Sequence, residues 1–161
     1  MKIAKFKIEN LKRGITPIEL IIVIAVLAII VAIVLPQFAQ IREEQVLKGV
    51  TSEVLSALNK ARLETISSYN SSQYGVHFEP TQIVIFRGTS YSSGAADNEI
   101  ISITSPASIT NVTFGDVSSV EGDVYFNRLS GAPSTTGTVT VSTSSYAKTI
   151  TINASGAASM N

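Results

Sequence analysis

The sequence predicts an α+β protein: one long amino-terminal helix, wholly apolar at first and amphipathic later, packed on a small antiparallel β-sheet head. Three observations carry this expectation. Residues 20–35 are sixteen uninterrupted apolar residues. Beyond them, apolar side chains recur at helical spacing as far as Ala61. After Ser67 the chain changes to short alternating runs separated by Ser, Thr and Gly.

The first fourteen residues read as a basic leader ending in Gly14. Lys2, Lys5, Lys7, Lys12 and Arg13 stand there against Glu9 alone. The whole chain balances twelve basic against twelve acidic residues, and the leader holds five of the former and one of the latter, so the remainder carries a net −4. The positive-inside rule places such a leader in the cytoplasm and everything after Pro36 outside.

The apolar run reads as a membrane span. Thirteen of its sixteen residues are Ile, Leu or Val, and the others are Ala25, Ala28 and Ala32. Each branched residue favours insertion by roughly 0.3–0.6 kcal/mol, about 6 kcal/mol in all. Glu19 opposes this by at most about 3 kcal/mol, and by less near the segment end. Insertion wins. Residues 15–35 are long enough for a hydrocarbon core about 30 Å thick. A secretory signal has a shorter apolar core, about 7–15 residues, with its small-residue cleavage site after it. Here the small residue beside a charge, Gly14, comes before the run.

Thr16-Pro17-Ile18-Glu19 reads as a helix start, with Thr16 as N-cap, Pro17 at the first helical position and Glu19 three residues past the cap. The Glu19 carboxylate then favours the positive end of the helix dipole. At membrane depth a charge also calls for a partner cation. Pro36 predicts a bend or local melting, because proline removes one helical hydrogen bond and clashes with the preceding turn. The helix is expected to resume to about Ile66. Phe38, Ile41, Val46, Val50, Val54, Leu58 and Ala61 form its apolar stripe, with Glu43, Glu44, Lys48, Glu53 and Lys60 between them.

Residues 67–72 are a polar break, and residues 67–161 form the expected head. Tyr74, Val76 and Phe78 alternate with Gly75, His77 and Glu79, and Pro80-Thr81 turns the chain into residues 83–86. Further strands are expected at 99–104, 109–114, 123–127, 138–143 and 148–153, with Ser, Thr and Gly filling the turns. Fewer than a hundred residues of short strands make a marginal core, so the helical stripe 46–61 has to help close it. The expected domains are thus leader 1–14, membrane helix 15–36, amphipathic helix 37–66 and head 67–161.

Gly14-Ile15-Thr16-Pro17-Ile18-Glu19-Leu20, the apolar run and Pro36 resemble the prepilin leader and first helix of type IV pilins and type II secretion pseudopilins. The resemblance covers about residues 10–36. It implies the type IV pilin fold, cleavage after Gly14 by a membrane prepilin peptidase, and methylation of the new terminal amine on Ile15. It also implies that Glu19 pairs with that amine on a neighbouring subunit and that Pro36 bends the helix. The implied partners are the peptidase, other pilin or pseudopilin subunits, an inner-membrane assembly platform, and membrane lipid before assembly. The implied location is a single pass through the inner membrane, with a cytoplasmic amino terminus and a periplasmic or extracellular head, and later a pilus or pseudopilus. Ile15 stands where the family usually has Phe, and Pro17 where it has an aliphatic residue.

The head carries a second resemblance. Ala61-Arg62-Leu63-Glu64, residues 123–128 with the Gly-bearing turn after them, and residues 150–156 are similar to the H-type minor pseudopilins, which include minor pilins. That family implies two small antiparallel sheets and a place near the tip of a short fibre. A major pilin stays open as an alternative, as does a tip-displayed adhesion module. The natural contact of such a module is the loop 88–98, with Tyr91, Ser92, Ser93 and Gly94.

Catalysis is not expected. The chain has no Cys, which removes thiol nucleophiles, Cys-based metal sites and disulfides. Its one His, His77, is expected as a surface residue on the strand face opposite Tyr74, Val76 and Phe78, and no nucleophile elbow accompanies it. Asp116, Glu121 and Asp123 supply oxygen ligands of the type calcium takes, but not at EF-hand spacing, and no metal or cofactor is assigned. Asn70, Asn111 and Asn153 each begin an N-x-Ser/Thr triplet without a modification being assigned. After Ser67 three cations (Arg87, Arg128 and Lys148) face six carboxylates, which argues against nucleic acid as a partner.

Overall fold

The computed structural model describes residues 14–160, so the expectations for the basic leader fall outside the described residues except at Gly14. Helix α1 spans Pro17–Ile66 and continues through Pro36. The chain divides into two units, Met1–Phe38 and Ala39–Asn161.

In the first unit the helix starts as its residues dictate. The Thr16 carbonyl accepts the Leu20 N–H at 3.2 Å, and the Thr16 hydroxyl accepts the Glu19 N–H at 3.3 Å. One orphan amide of the first turn is thereby satisfied by the cap. Every described residue of this unit is exposed.

In the second unit α1 buries Leu47, Val50, Thr51, Val54, Ala57, Leu58, Ala61 and Thr65, a stripe at i, i+3, i+4 and i+7. The two threonines enter the core because each donates its hydroxyl to the carbonyl four residues back, Thr51 to Leu47 at 2.6 Å and Thr65 to Ala61 at 2.8 Å. Thr65 Oγ1 also accepts the Tyr74 N–H at 2.9 Å, fastening the helix end to the first strand. The stripe begins later than its periodicity predicts. Phe38 and Ile41 are 64 % and 54 % exposed, and Val46 is half-buried. Their spacing is helical, but the head covers the helix only from Glu43 onward, where Ser144 donates to its carboxylate at 2.7 Å.

After a 3₁₀ turn at Tyr69–Ser71 the described residues form nine strands: β1 Tyr74–Glu79, β2 Gln82–Arg87, β3 Glu99–Ser102, β4 Ser108–Phe114, β5 Val117–Ser119, β6 Gly122–Tyr125, β7 Gly137–Ser142, β8 Ala147–Ile152 and β9 Ala158–Met160. They form two antiparallel sheets, as the second resemblance implies, ordered β3-β2-β1-β6 and β5-β4-β7-β8-β9. The helix stripe, Val76, Phe78, Ile83, Ile85 and Val124 from the first sheet, and Ile109, Val112, Val139, Val141, Ile150 and Ile152 from the second share one core. The α+β expectation holds, with one long helix packed on antiparallel sheet.

Ser and Thr residues lie within strands as well as in turns. Register sets Ser118, Thr113, Thr138, Thr151 and Ser159 side by side in one rank across all five strands of the second sheet. Threonine suits such a half-buried pleated surface through its branched Cβ. The first sheet, in turn, buries both faces. Val84 and Phe86 are buried on the side away from the main core, where Phe86 lies so close to Gly75 that a Cβ there would meet its ring at 2.4 Å.

Candidate functional site

Gly14 and Ile15 precede the first helical turn in irregular, exposed backbone, and a Cβ on Gly14 would meet nothing within 4 Å. Glu19 sits in the first turn of α1. Among the described residues its carboxylate accepts no hydrogen bond and forms no ion pair, so the cap uses its N–H and leaves the side chain available. Pro36 lies seventeen residues further along, about 26 Å at the helical rise. The site residues read from the sequence thus fall into a cluster at the helix start and one distant proline. Between them runs a helix long and apolar enough to cross a membrane, none of it buried by the protein itself.

On the head, His77 departs from expectation: it is buried, 9 % exposed, although it does lie opposite Val76 and Phe78. Tyr91 of the 88–98 loop covers it, the two rings stacked at 3.8 Å and 10°. His77 Nε2 meets Glu79 Oε1 at 3.1 Å and Nδ1 meets the Asp123 carboxylate. Gln82 donates to the other Glu79 oxygen at 2.7 Å. Both ring nitrogens are taken by carboxylates, so neither addresses a serine hydroxyl as a triad would require. Asp123 is engaged with His77 and not with Asp116 and Glu121. Among the described residues no group of three or more His, Cys, Asp or Glu is arranged to hold a metal ion.

The same stack changes the loop expected as a contact surface. Tyr91 turns onto His77 and Phe86, while Ser92, Ser93 and Gly94 stay exposed. Burial, reinforced by the negative charge of Glu79, raises the Tyr91 phenol above its ordinary value. A folded-state value raised in this way means that the phenol stays protonated to higher pH than in the unfolded chain, and the associated stability falls as pH rises past the unfolded value. The tyrosinate absorbance lost on Tyr91→Phe should therefore titrate above the free-tyrosine midpoint of about 10. A midpoint at or below that value would show the stack to be open in solution.

The end of α1 carries a clamp. Arg62 Nε donates to Gly131 O at 3.1 Å and its terminal nitrogen to Ser155 O at 2.9 Å, gathering two turns far apart in sequence. Both turns contain a glycine with positive φ, +65° at Gly131 and +79° at Gly156. Arg128 reaches back from the first of these turns to Ser68 Oγ at 3.4 Å and Ser71 O at 3.2 Å. The tip of that turn is Leu129, with φ of 68°. Sequence reasoning registered only a Gly-bearing turn here. The adjoining Asn-Arg-Leu-Ser-Gly stretch carries no apolar period to draw attention to its leucine.

A family model described as "Type II transport protein GspH" matches residues 50–156, more than half of the chain. The matched span starts within the buried stripe of α1 and ends at Gly156, so it contains the Arg62 clamp and both of the turns it holds. No curated protein and no solved structure matches the chain.

Proposed function

The chain belongs to the GspH family of type II transport proteins, and from this premise we propose how a type II secretion pseudopilin subunit of this sequence is processed and assembled. Prepilin peptidase cuts after Gly14 and methylates the amine of Ile15. Until assembly the subunit stays in the inner membrane, its head outside and its apolar helix in lipid. The assembly platform then draws it into the pseudopilus through residues 15–36, with Pro36 bending the helix where it leaves the hydrocarbon. The protein's role is structural and not catalytic.

The observation that carries this reading is a Glu19 carboxylate without a partner among the described residues, in the first turn of an unburied apolar helix. Cleavage would remove all five leader cations. The next cation along the chain is Arg42, twenty-three residues beyond Glu19 and about 35 Å away along a helix. The only positive group left at the depth of Glu19 is then a terminal ammonium. A carboxylate in hydrocarbon is stabilised by pairing with such a group, and a neighbour's Ile15 amine supplies it when two helices lie side by side.

Glu19→Val tests the pairing. Removing the charge makes insertion easier, so membrane levels of the full chain should hold or rise. Incorporation into pseudopili and secretion should fall about tenfold or more, the loss expected when one partner of a desolvated charge pair is removed. Unchanged incorporation would sink the assembly role. Mass spectrometry should find N-methylated Ile15 as the mature terminus; an intact Met1 in cells that hold the peptidase would overturn the cut.

A further inference from the structure

A hollow of about 330 Å³ opens in the second unit, lined by Ala39, Arg42 and Glu43 of α1 and by Ser105 and Pro106 of the β3–β4 connection. Small-ligand sites span roughly 300–1,000 Å³, so a compact polar group fits it. One Glu43 oxygen accepts the Ser144 hydroxyl at 2.7 Å, while Oε2 is buried without a hydrogen-bond partner among the described residues. The Ser144 bond lowers the Glu43 carboxyl below its ordinary value, so the group stands ionised and only accepts. A buried oxygen left in this way is costly, and native structures seldom keep one without a reason. Arg42 is exposed and takes no part in the ion pairs among the described residues, which use Lys48, Lys60 and His77. The hollow thus sets a fork of N–H donors beside an acceptor that needs a donor. A ligand that answers both carries an anion and a hydrogen-bonding cation a few bonds apart.

Position in the chain selects the source of such a ligand. Arg42 follows Leu35, the last residue of the apolar run, by seven residues, at most about 10 Å along a helix. The polar headgroup layer reaches roughly 5–8 Å beyond each face of a hydrocarbon core. An arginine head extends into that layer while its stem lies on apolar surface. Ile41, its neighbour in sequence, is exposed.

We propose that this hollow holds the phosphoethanolamine headgroup of a membrane phospholipid, with the phosphate on Arg42 and the ammonium on Glu43 Oε2. The inference rests on the membrane-resident state described above. A guanidinium matches phosphate oxygens bidentately. The ethanolamine ammonium brings three N–H donors, one of which satisfies Oε2. The trimethylammonium of choline brings none, and a glycerol headgroup has no cation at all. The Ser105 hydroxyl supplies a further donor to the phosphate. The lipid so held tethers the head to the bilayer at a second point besides the helix.

The full-length chain in nanodiscs of equal phosphatidylethanolamine, phosphatidylcholine and phosphatidylglycerol tests this, with native mass spectrometry reading the lipids that stay bound on release. The apolar helix retains lipid whatever its headgroup, so the ratio between headgroups, not the amount, reports the hollow. Phosphatidylethanolamine should exceed phosphatidylcholine by about tenfold or more, the difference made by one charged hydrogen bond to a buried acceptor. Glu43→Gln keeps an oxygen for Ser144 and should bring the two lipids to parity. Ala39→Phe fills the hollow while leaving both charges, and should do the same. Parity in the wild-type chain, or a preference that survives both substitutions, would overturn the proposal. A preference for phosphatidylglycerol would assign the hollow to anions through Arg42 alone and overturn it likewise. Retention of free phosphoethanolamine by the chain in phosphatidylcholine nanodiscs would make the ligand soluble and overturn the lipid source. The two readings fail separately: assembly is read by Glu19→Val in cells, whereas the lipid ratio is read on an inserted chain with no fibre present.

Discussion

Gly156→Ala should destabilise the head by on the order of 4 kcal/mol, combining a left-handed backbone penalty with the loss of charged hydrogen bonds. A Cβ at this position would stand 1.9 Å from the carbonyl oxygen of Gly131 and 2.8 Å from Arg62 Nε. The first obstacle is backbone, so no side-chain rotation relieves it. Either the 153–156 turn or the 127–131 turn must move, and Arg62 then loses one of the two carbonyls it holds together. With φ at +79°, alanine is also strained before any contact is considered. Total stabilities are about 5–15 kcal/mol, so the variant keeps little reserve. Urea unfolding of the full chain in detergent reads the effect as a shifted midpoint at unchanged slope. A midpoint equal to wild type would mean that the two turns are not in contact in solution.

Val54→Asp should be comparably damaging by another route. Val54 is fully buried within the stripe of α1, among the apolar side chains that both sheets contribute to the common core. An aspartate there has no cation to pair with in that core, and an isolated buried carboxylate costs several kcal/mol unless it takes up a proton. Undocking the helix stripe exposes the inner surfaces of both sheets together, so loss of the head should be cooperative. The apolar run 20–35 needs no head for its insertion. Protease added to membranes should then degrade residues 39–161 of the variant and leave a membrane-embedded fragment, while the wild-type head resists. A protected head would show that the stripe tolerates charge and that helix docking contributes little.

The long helix was legible because its cause is local. Cap, proline, periodic apolar residues and a polar break at residue 67 each declare themselves within a few positions, and the helix does end at Ile66. Its buried stripe was legible in period but not in extent. Phe38 and Ile41 keep the rhythm, and only the reach of the head decides that Leu47 is covered while they are not. The five-stranded sheet shows the same limit. β7 and β8 alternate Val or Ile with Thr and could be read, whereas β5 and β9 are three residues each and exist only through their partners. His77 was misjudged for a related reason. Strand alternation puts it opposite the core correctly, but the 88–98 loop returns with Tyr91 to cover that second face. The left-handed conformation of Leu129 was invisible because it lies in a backbone angle. By contrast Gly14, Ile15, Glu19 and Pro36 form a linear motif that needs no tertiary structure to be recognised.

The brevity of β5 and β9 has a consequence of its own. They are the two outer strands of the larger sheet, and each offers a stranger's backbone only three residues of unpaired amide and carbonyl. Long flat margins template aggregation and amyloid-like growth, and natural proteins blunt them by shortening. In the assembly proposed above, heads would stand at high local concentration, and short outer strands would limit edge-to-edge pairing between them.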